Sequence, residues 1–386
     1  MTRSQDYSLP PEVVEAVASA GLDALPELIR VMINAAMVAE RRAYLGAGAY
    51  ERTEARQGYA NGYKPKTVTT RVGPITFDVP QTREGGFYPS ALEKGLRSER
   101  ALTLALAEMY VQGVSTRRVA AITEQLCGVE LSSMQVSRAT ATLDEVLGSW
   151  RNRPLCECRY LILDARYEKI RIDGQVRDGA VLIAKGVTTE GKRTILGVSV
   201  SLSEHEAHWR EFLQSLVARG LGGLALIVSD DHAGLGAARK AVFGAVPWQR
   251  CQFHLQQNAT AYVPRIEQRA EVASDIRAVF NAPDRTEAEA RLRRMIEKYA
   301  KSAPKLAAWM ETNLPEGLAV FDFPEAHRRL IRTTNGLERV NEEIRRRTRV
   351  VGIFPNTAAC LRLVTAILAE ISDDWESGRA YLTFPD

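Results

Sequence analysis

The chain has 386 residues, 45% hydrophobic and 25% charged, which excludes a largely disordered, fibrous or disulfide-scaffold protein and, at this length, points to two or three structural units. A formal net charge of +4 is too mildly basic to assign nucleic acid as the partner on its own. Five cysteines (127, 156, 158, 251 and 360) without regular spacing exclude a disulfide framework and suit a reducing cytosol. The absence of an apolar segment behind the first residues, or of any run near ~18 apolar residues, leads us to expect neither secretion nor membrane insertion.

In chain order, Leu25, Leu28, Ile29, Met32 and Ile33 carry helical periodicity within the first fifty or so residues. The stretch Gly58-Tyr59-Ala60-Asn61-Gly62-Tyr63 predicts a turn or loop, and the alternation over 67–79 around Gly73-Pro74 predicts a small hairpin. The exposed Lys64, Lys66, Arg71 and Arg83 of that hairpin suit either DNA or solvent. Over 97–150 two helices are expected to flank the turn at Gly128, the first on Val119, Ile122 and Leu126, the second starting at Ser132-Ser133 and carrying Val136, Leu143, Val146 and Leu147. This is the layout of a helix-turn-helix, with Ser133, Gln135, Ser137 and Arg138 placed to reach bases or phosphates, although any helical hairpin shares the pattern.

From Arg159 onward strands dominate. Five are predicted: 160–164, 169–172, 180–184, 194–200 and 224–230. The turns at Asp173-Gly174 and Glu190-Gly191 make the middle three antiparallel neighbours, while an amphipathic helix carrying Trp209, Phe212, Leu213, Leu216 and Val217 separates the last. The fold class is therefore α/β with a mixed sheet. Residues 264–325 form an all-α insertion, followed by helices over about 334–347 and 356–375.

Asp164 and Asp230 each close an apolar strand, where a charge emerges from a buried sheet into a cleft. An aspartate in that place also serves as a plain turn former, and Asp231 stands beside Asp230. On the later helix Leu337, Val340 and Ile344 face the core, with Glu338, Asn341, Glu342 and Arg345 on the adjacent stripe; periodicity does not choose between Glu338 and Glu342. Residues 327–349 hold eight arginines against three glutamates, a density suited to phosphates or to a solvated helix face. Cys251 and His254, spaced Cys-x-x-His, supply only half a tetrahedral zinc site, and Cys156-x-Cys158 is an unusual complement. Trp209, among apolar helix neighbours, reads as core.

Over about residues 56–356 the chain resembles the Mutator-type transposases of bacterial insertion sequences. The matching blocks are Leu163-Asp164-Ala165-Arg166-Tyr167-Glu168, Trp209-Arg210-Glu211-Phe212-Leu213 with Arg219-Gly220-Leu221, Val228-Ser229-Asp230-Asp231-His232, Trp248-Gln249-Arg250-Cys251-Gln252-Phe253-His254, and the run from Asn335-Gly336-Leu337-Glu338-Arg339-Val340-Asn341 to Phe354-Pro355-Asn356. The resemblance implies an Asp-Asp-Glu transposase with a ribonuclease H-like catalytic domain. Its triad is carried onto Asp164, Asp230 and Glu338, which hold two Mg²⁺ ions, with Mn²⁺ as a substitute. Cys251, His254, His232 and Asn341 are then structural or active-site support, and Arg138, Arg339, Arg345, Arg346, Arg347 and Arg349 are DNA-binding candidates.

The expected organisation is an N-terminal helical segment with a small β-hairpin (1–95), a helix-turn-helix-like DNA-binding region (96–152), the first part of the catalytic domain (153–263), the helical insertion (264–325), and a second catalytic part with the Glu338 and C-terminal helices (326–386). The implied partners are double-stranded DNA, as terminal inverted repeats and target, and at least a second copy of the chain when two ends are brought together. The implied location is the bacterial cytosol at the nucleoid. A different nuclease on the same scaffold is disfavoured by the matching blocks, and a catalytically silent, transposase-derived DNA-binding regulator would have lost triad carboxylates that are all present here.

Overall fold

A computed structural model describes residues 15, 18–48, 51, 53–83, 85–92, 94, 98, 100–127 and 129–384. The opening residues, on which part of the expectation about secretion rests, lie outside the described ones, as does Gly128. The chain divides into two compact units, Met1–Thr142 and Leu143–Asp386.

In the first unit, helix α1 (Leu25–Leu45) ends at Gly46, whose left-handed φ of 65° terminates the helix. The hairpin is longer than its pattern predicts: β1 (Ala60–Thr70) pairs antiparallel with β2 (Gly73–Thr82), and the Gly-Tyr stretch expected as a loop supplies the start of β1. Gly62, at φ 69°, lies where the register slips between Ala60 and Tyr63 and so allows a strand through an unpromising sequence. Met37 of α1 packs with Val68, Ile75, Phe77 and Val79 of the hairpin. Three short helices follow, α2 (Arg100–Val111), α3 (Thr116–Cys127) and α4 (Ser133–Thr140), joined through Leu102, Leu106, Val119 and Val136. The predicted helix start is present as a capping box, in which Ser132 and Gln135 satisfy each other's backbone N–H groups. That helix stops at Thr140, earlier than its apolar spacing suggests. Gln135, Ser137 and Arg138 are exposed on α4, while the side chain of Ser133 lies outside the described atoms.

The second unit opens with α5 (Asp144–Arg151), and its centre is a five-stranded sheet. The candidates 160–164 and 169–172 are one strand, β3 (Cys158–Ile172), because β4 (Gln175–Thr188) pairs with it without a break along Tyr160 to Ile172. β5 (Arg193–Ser201) continues the antiparallel meander, and helix α6 (Glu206–Ala218) carries the chain to β6 (Leu226–Ser229), parallel to β3. After α7 (Ala233–Phe243) comes β7 (Trp248–Arg250), a three-residue strand that pattern reading misses. The sheet order is β5-β4-β3-β6-β7.

Alternation along the strands sorts the two faces. Leu161, Leu163 and Ile227 pack against the fully buried Trp209 and Leu213 of α6. Tyr160 faces the other way, against Phe323, His327 and Phe384. A helical segment, α8 (Gln252–Ala259), α9 (Arg269–Phe280), α10 (Arg285–Ala300), α11 (Pro304–Asn313) and α12 (Glu325–Ile331), leads to α13 (Asn335–Thr348) and α14 (Thr357–Ser377). α5 belongs to this unit because Arg362 of α14 grips Asp144 at 2.7 Å and Arg151 donates to Thr365. No helix among the described residues is long and apolar enough to cross a membrane.

Candidate active site

The parallel pairing of β3 with β6 sets Ile162 opposite Val228. Two residues further along each chain, on the same face, come Asp164 and Asp230. Asp164 is largely buried, and each of its oxygens has a donor: the Ala165 N–H reaches Oδ1 at 2.9 Å and Asn341 Nδ2 reaches Oδ2 at 2.8 Å. Burial lifts its pKa to about 6. Ala165 and His254 oppose the rise, and the nearby charges of Asp230 and Glu338 add to it. The three carboxylates of the predicted triad therefore share one electrostatic neighbourhood.

Asp230 is the more open of the two aspartates, 41% exposed, and accepts from the Asp231 N–H at 2.8 Å. Asp231 turns away and pairs with Arg250 at 3.0 Å, which also holds Glu316 and Asn313 at 2.9 Å. On α13, Asn341 lies three residues after Glu338, so its bond to Asp164 fixes the rotation of the helix and sets Glu338 on the same side. Glu342 is exposed. Arg166 donates to the Asn341 carbonyl and pairs with Glu168 at 2.6 Å, a second tie between β3 and α13. Beyond the helix, Phe354 exchanges two 2.8 Å backbone bonds with Lys169 and Arg171 of β3.

Cys251, fully buried, and His254 lie beside the end of β6. His254 Nδ1 is buried, lacks a hydrogen-bond partner and lies 3.8 Å from Asp230 Oδ1. The neighbouring Cys251 sulfur raises its pKa to about 9 against the effect of burial, with Asp230 and Asp164 assisting. Burial alone would push the Cys251 thiol up, yet the neighbouring His254 and the hydrogen bonds from Thr334 together hold it below the ordinary thiol range. His232 points elsewhere, with Nδ1 3.8 Å from Glu204.

Lys185 carries no signal in the sequence beyond interrupting an apolar strand. It is fully buried and close under Gly336 at the start of α13, where a Cβ would meet its Nζ at 2.2 Å. The rings of Trp375 and Tyr381 stand 5.9 and 5.8 Å from the ammonium. Burial lowers its pKa to about 7, and Arg193 contributes.

The arginine cluster separates by environment. Arg138, Arg339, Arg345 and Arg349 are exposed. Arg346 is exposed but paired with Glu343 at 2.7 Å. Arg347, expected to face DNA, is buried instead: its guanidinium takes both oxygens of Glu370 at 2.6 and 2.9 Å and Glu343 at 2.7 Å, since α14 covers that side of α13. Among the described residues no three His, Cys, Asp or Glu side chains converge closely enough to enclose an ion.

The site is a mixed sheet with one aspartate inside its central strand and another just past the end of the neighbouring parallel strand, beside a helix-borne glutamate; Asp164 does not close its strand as expected, because β4 pairs along β3 as far as Ile172. The chain belongs to the Mutator family of transposases: the family described as "Transposase, Mutator family" matches residues 7–378. It is 61% identical over 371 residues to the transposase for insertion sequence element IS406 of Burkholderia multivorans, covering 96% of each chain. It is 43% identical to the ISRM5 transposase of Rhizobium meliloti, covering all of this chain and 97% of that one. The IS256 transposase of transposon Tn4001 from Staphylococcus aureus is 35% identical, with 98% of each covered. A solved simian T-cell lymphotropic virus intasome, in complex with PP2A regulatory subunit B56 gamma, matches 54% of this chain and 67% of that one at 10% identity. Its TM-score of 0.19 is too low to define the fold.

Proposed function

We propose that this transposase cleaves DNA at the ends of its own insertion sequence and joins the freed ends to target DNA, with divalent cations held by Asp164, Asp230 and Glu338. The observation that carries this reading is the Asp164 carboxylate on the strand beside the one that leads to Asp230, held by Asn341 of the helix that carries Glu338. The sheet order β5-β4-β3-β6-β7 supports a ribonuclease H-like scaffold for it.

The donor set fits Mg²⁺, or Mn²⁺ in its place, because all three ligands are hard oxygens. Asn341 Oδ1 is a further oxygen, buried without a partner beside Asp164 and suited to an ion or its water. When bound, the cations activate the attacking oxygen and stabilise the leaving one. The protein's own groups prepare the site. Ala165 and Asn341 orient Asp164, and His254, cationic up to about pH 9, offsets part of the acidic charge near Asp230. In this reading Arg345 and Arg349, exposed on and just after α13, would take DNA phosphates, and the capped α4 with the exposed Arg138 would enter a groove. Joining two transposon ends calls for at least two copies of the chain.

The test is cleavage of a labelled insertion-end duplex in Mg²⁺, with gel-shift binding in parallel. Asp164→Ala, Asp230→Ala and Glu338→Ala should each reduce cleavage to background and leave binding intact. Asp231→Ala and Glu342→Ala should still cleave. Full cleavage by Glu338→Ala, or cutting by the parent without divalent cation, overturns the proposal; binding without any cleavage by the parent would favour a DNA-binding regulator.

A further inference from the structure

The Cys251 sulfur accepts two hydrogen bonds from one residue, the backbone N–H and the hydroxyl of Thr334, each at 3.4 Å. Both residues are fully buried. Thr334 is the N-cap of α13, yet its hydroxyl makes no capping bond to the helix and is turned to the sulfur instead. Such a hydroxyl ordinarily satisfies the helix's own N–H groups, so here that role is given up for a contact between distant segments. The Thr334 carbonyl in turn accepts from the N–H groups of Leu337 and Glu338 at 2.7 and 3.2 Å.

On its other side, Cys251 is tied to the aspartate strand. Its N–H donates to the Ser229 carbonyl at 2.8 Å, one residue before Asp230, and the Gln252 N–H donates to the Arg332 carbonyl at 3.0 Å. Cys251 thus bonds through its backbone to the end of β6 and through its side chain to the start of the Glu338 helix. A single residue spans the two elements whose carboxylates must meet.

We propose that Cys251 is a positioning residue that sets the start of the Glu338 helix against the end of the Asp230 strand, so that the affinity of the carboxylates for a divalent cation depends on its sulfur accepting from Thr334. This inference rests on the metal-dependent reading above. It assigns Cys251 no contact with metal or DNA, and it differs from simple core filling because a filler needs volume and not an acceptor.

The experiment uses the full chain with Mn²⁺ as the probe, free Mn²⁺ being read by electron paramagnetic resonance, on the parent, Cys251→Ala, Cys251→Ser, Thr334→Val and Asp164→Ala. Loss of a group that orients metal ligands typically weakens binding by about 10–100-fold. Cys251→Ala should therefore raise the Mn²⁺ dissociation constant at least about tenfold with unchanged far-ultraviolet circular dichroism. Cys251→Ser, which keeps an acceptor, should restore most of the affinity. Thr334→Val should weaken binding as Cys251→Ala does, and the double variant should be no worse than either alone.

If the parent binds Mn²⁺, Asp164→Ala does not, and Cys251→Ala binds as the parent does, the positioning role is overturned while the carboxylate site stands. If Asp164→Ala binds Mn²⁺ as well as the parent, both fall. Should Cys251→Ala not fold, Cys251→Ser and Thr334→Val decide: equal affinity in parent and Thr334→Val overturns the proposal.

Discussion

Replacing Asp164 by Asn should make the metal-free protein more stable while abolishing its chemistry. In the fold the carboxyl titrates near 6 against an ordinary 3.8, and at about 1.36 kcal/mol per pH unit that interval is worth about 3 kcal/mol. The raised pKa fixes the sign. The protonated carboxyl contributes stability that is fully present below about pH 3.8 and lost as pH rises through about 6. An asparagine cannot ionise and does not lose it. Geometry allows the exchange: the substituted amide can still accept from the Ala165 N–H through its oxygen, and Asn341 can turn its unpartnered Oδ1 toward the new NH₂ group. For a unit the size of Leu143–Asp386, the gain corresponds to a Tm increase of at most about 6–12 °C at neutral pH. The assay is thermal unfolding of parent and Asp164→Asn in chelator from about pH 4 to 8, repeated in saturating Mg²⁺. The gap should be near zero at the acid end, grow through about pH 6, and shrink in Mg²⁺, which favours the ionised parent. A gap independent of pH, or a variant less stable than the parent at pH 8, would refute the reasoning.

The arginines yield two contrasting expectations. Changing the exposed Arg345 and Arg349 to Gln should weaken binding to any duplex, measured by fluorescence anisotropy against salt, with the slope flattened by about one for each phosphate that is no longer neutralised. Arg347→Ala should instead leave that slope unchanged and lower stability in chemical denaturation by about 1–3 kcal/mol, because it removes the buried guanidinium that ties α13 to Glu370 of α14 through two hydrogen bonds.

Local pattern determined a good deal by itself. The apolar runs before Asp164 and Asp230, the Asp173-Gly174 and Glu190-Gly191 turns that make β3, β4 and β5 antiparallel, the Trp209 core helix and the amphipathic α13 are each set by neighbours within a few residues, which is the range over which side-chain periodicity and turn chemistry act. Family resemblance, not periodicity, singled out Glu338 over Glu342 and Asp230 over Asp231. In the tertiary structure Asp231 pairs with Arg250, and Asn341 of α13 donates to Asp164. That structure also decided what no window of sequence contains. β3 is one strand because β4 pairs along it, Arg347 is withdrawn from DNA because Glu370 reaches it from α14, and Cys251 meets Thr334 across 83 residues. Each of these depends on a partner far along the chain, and only packing brings such partners together.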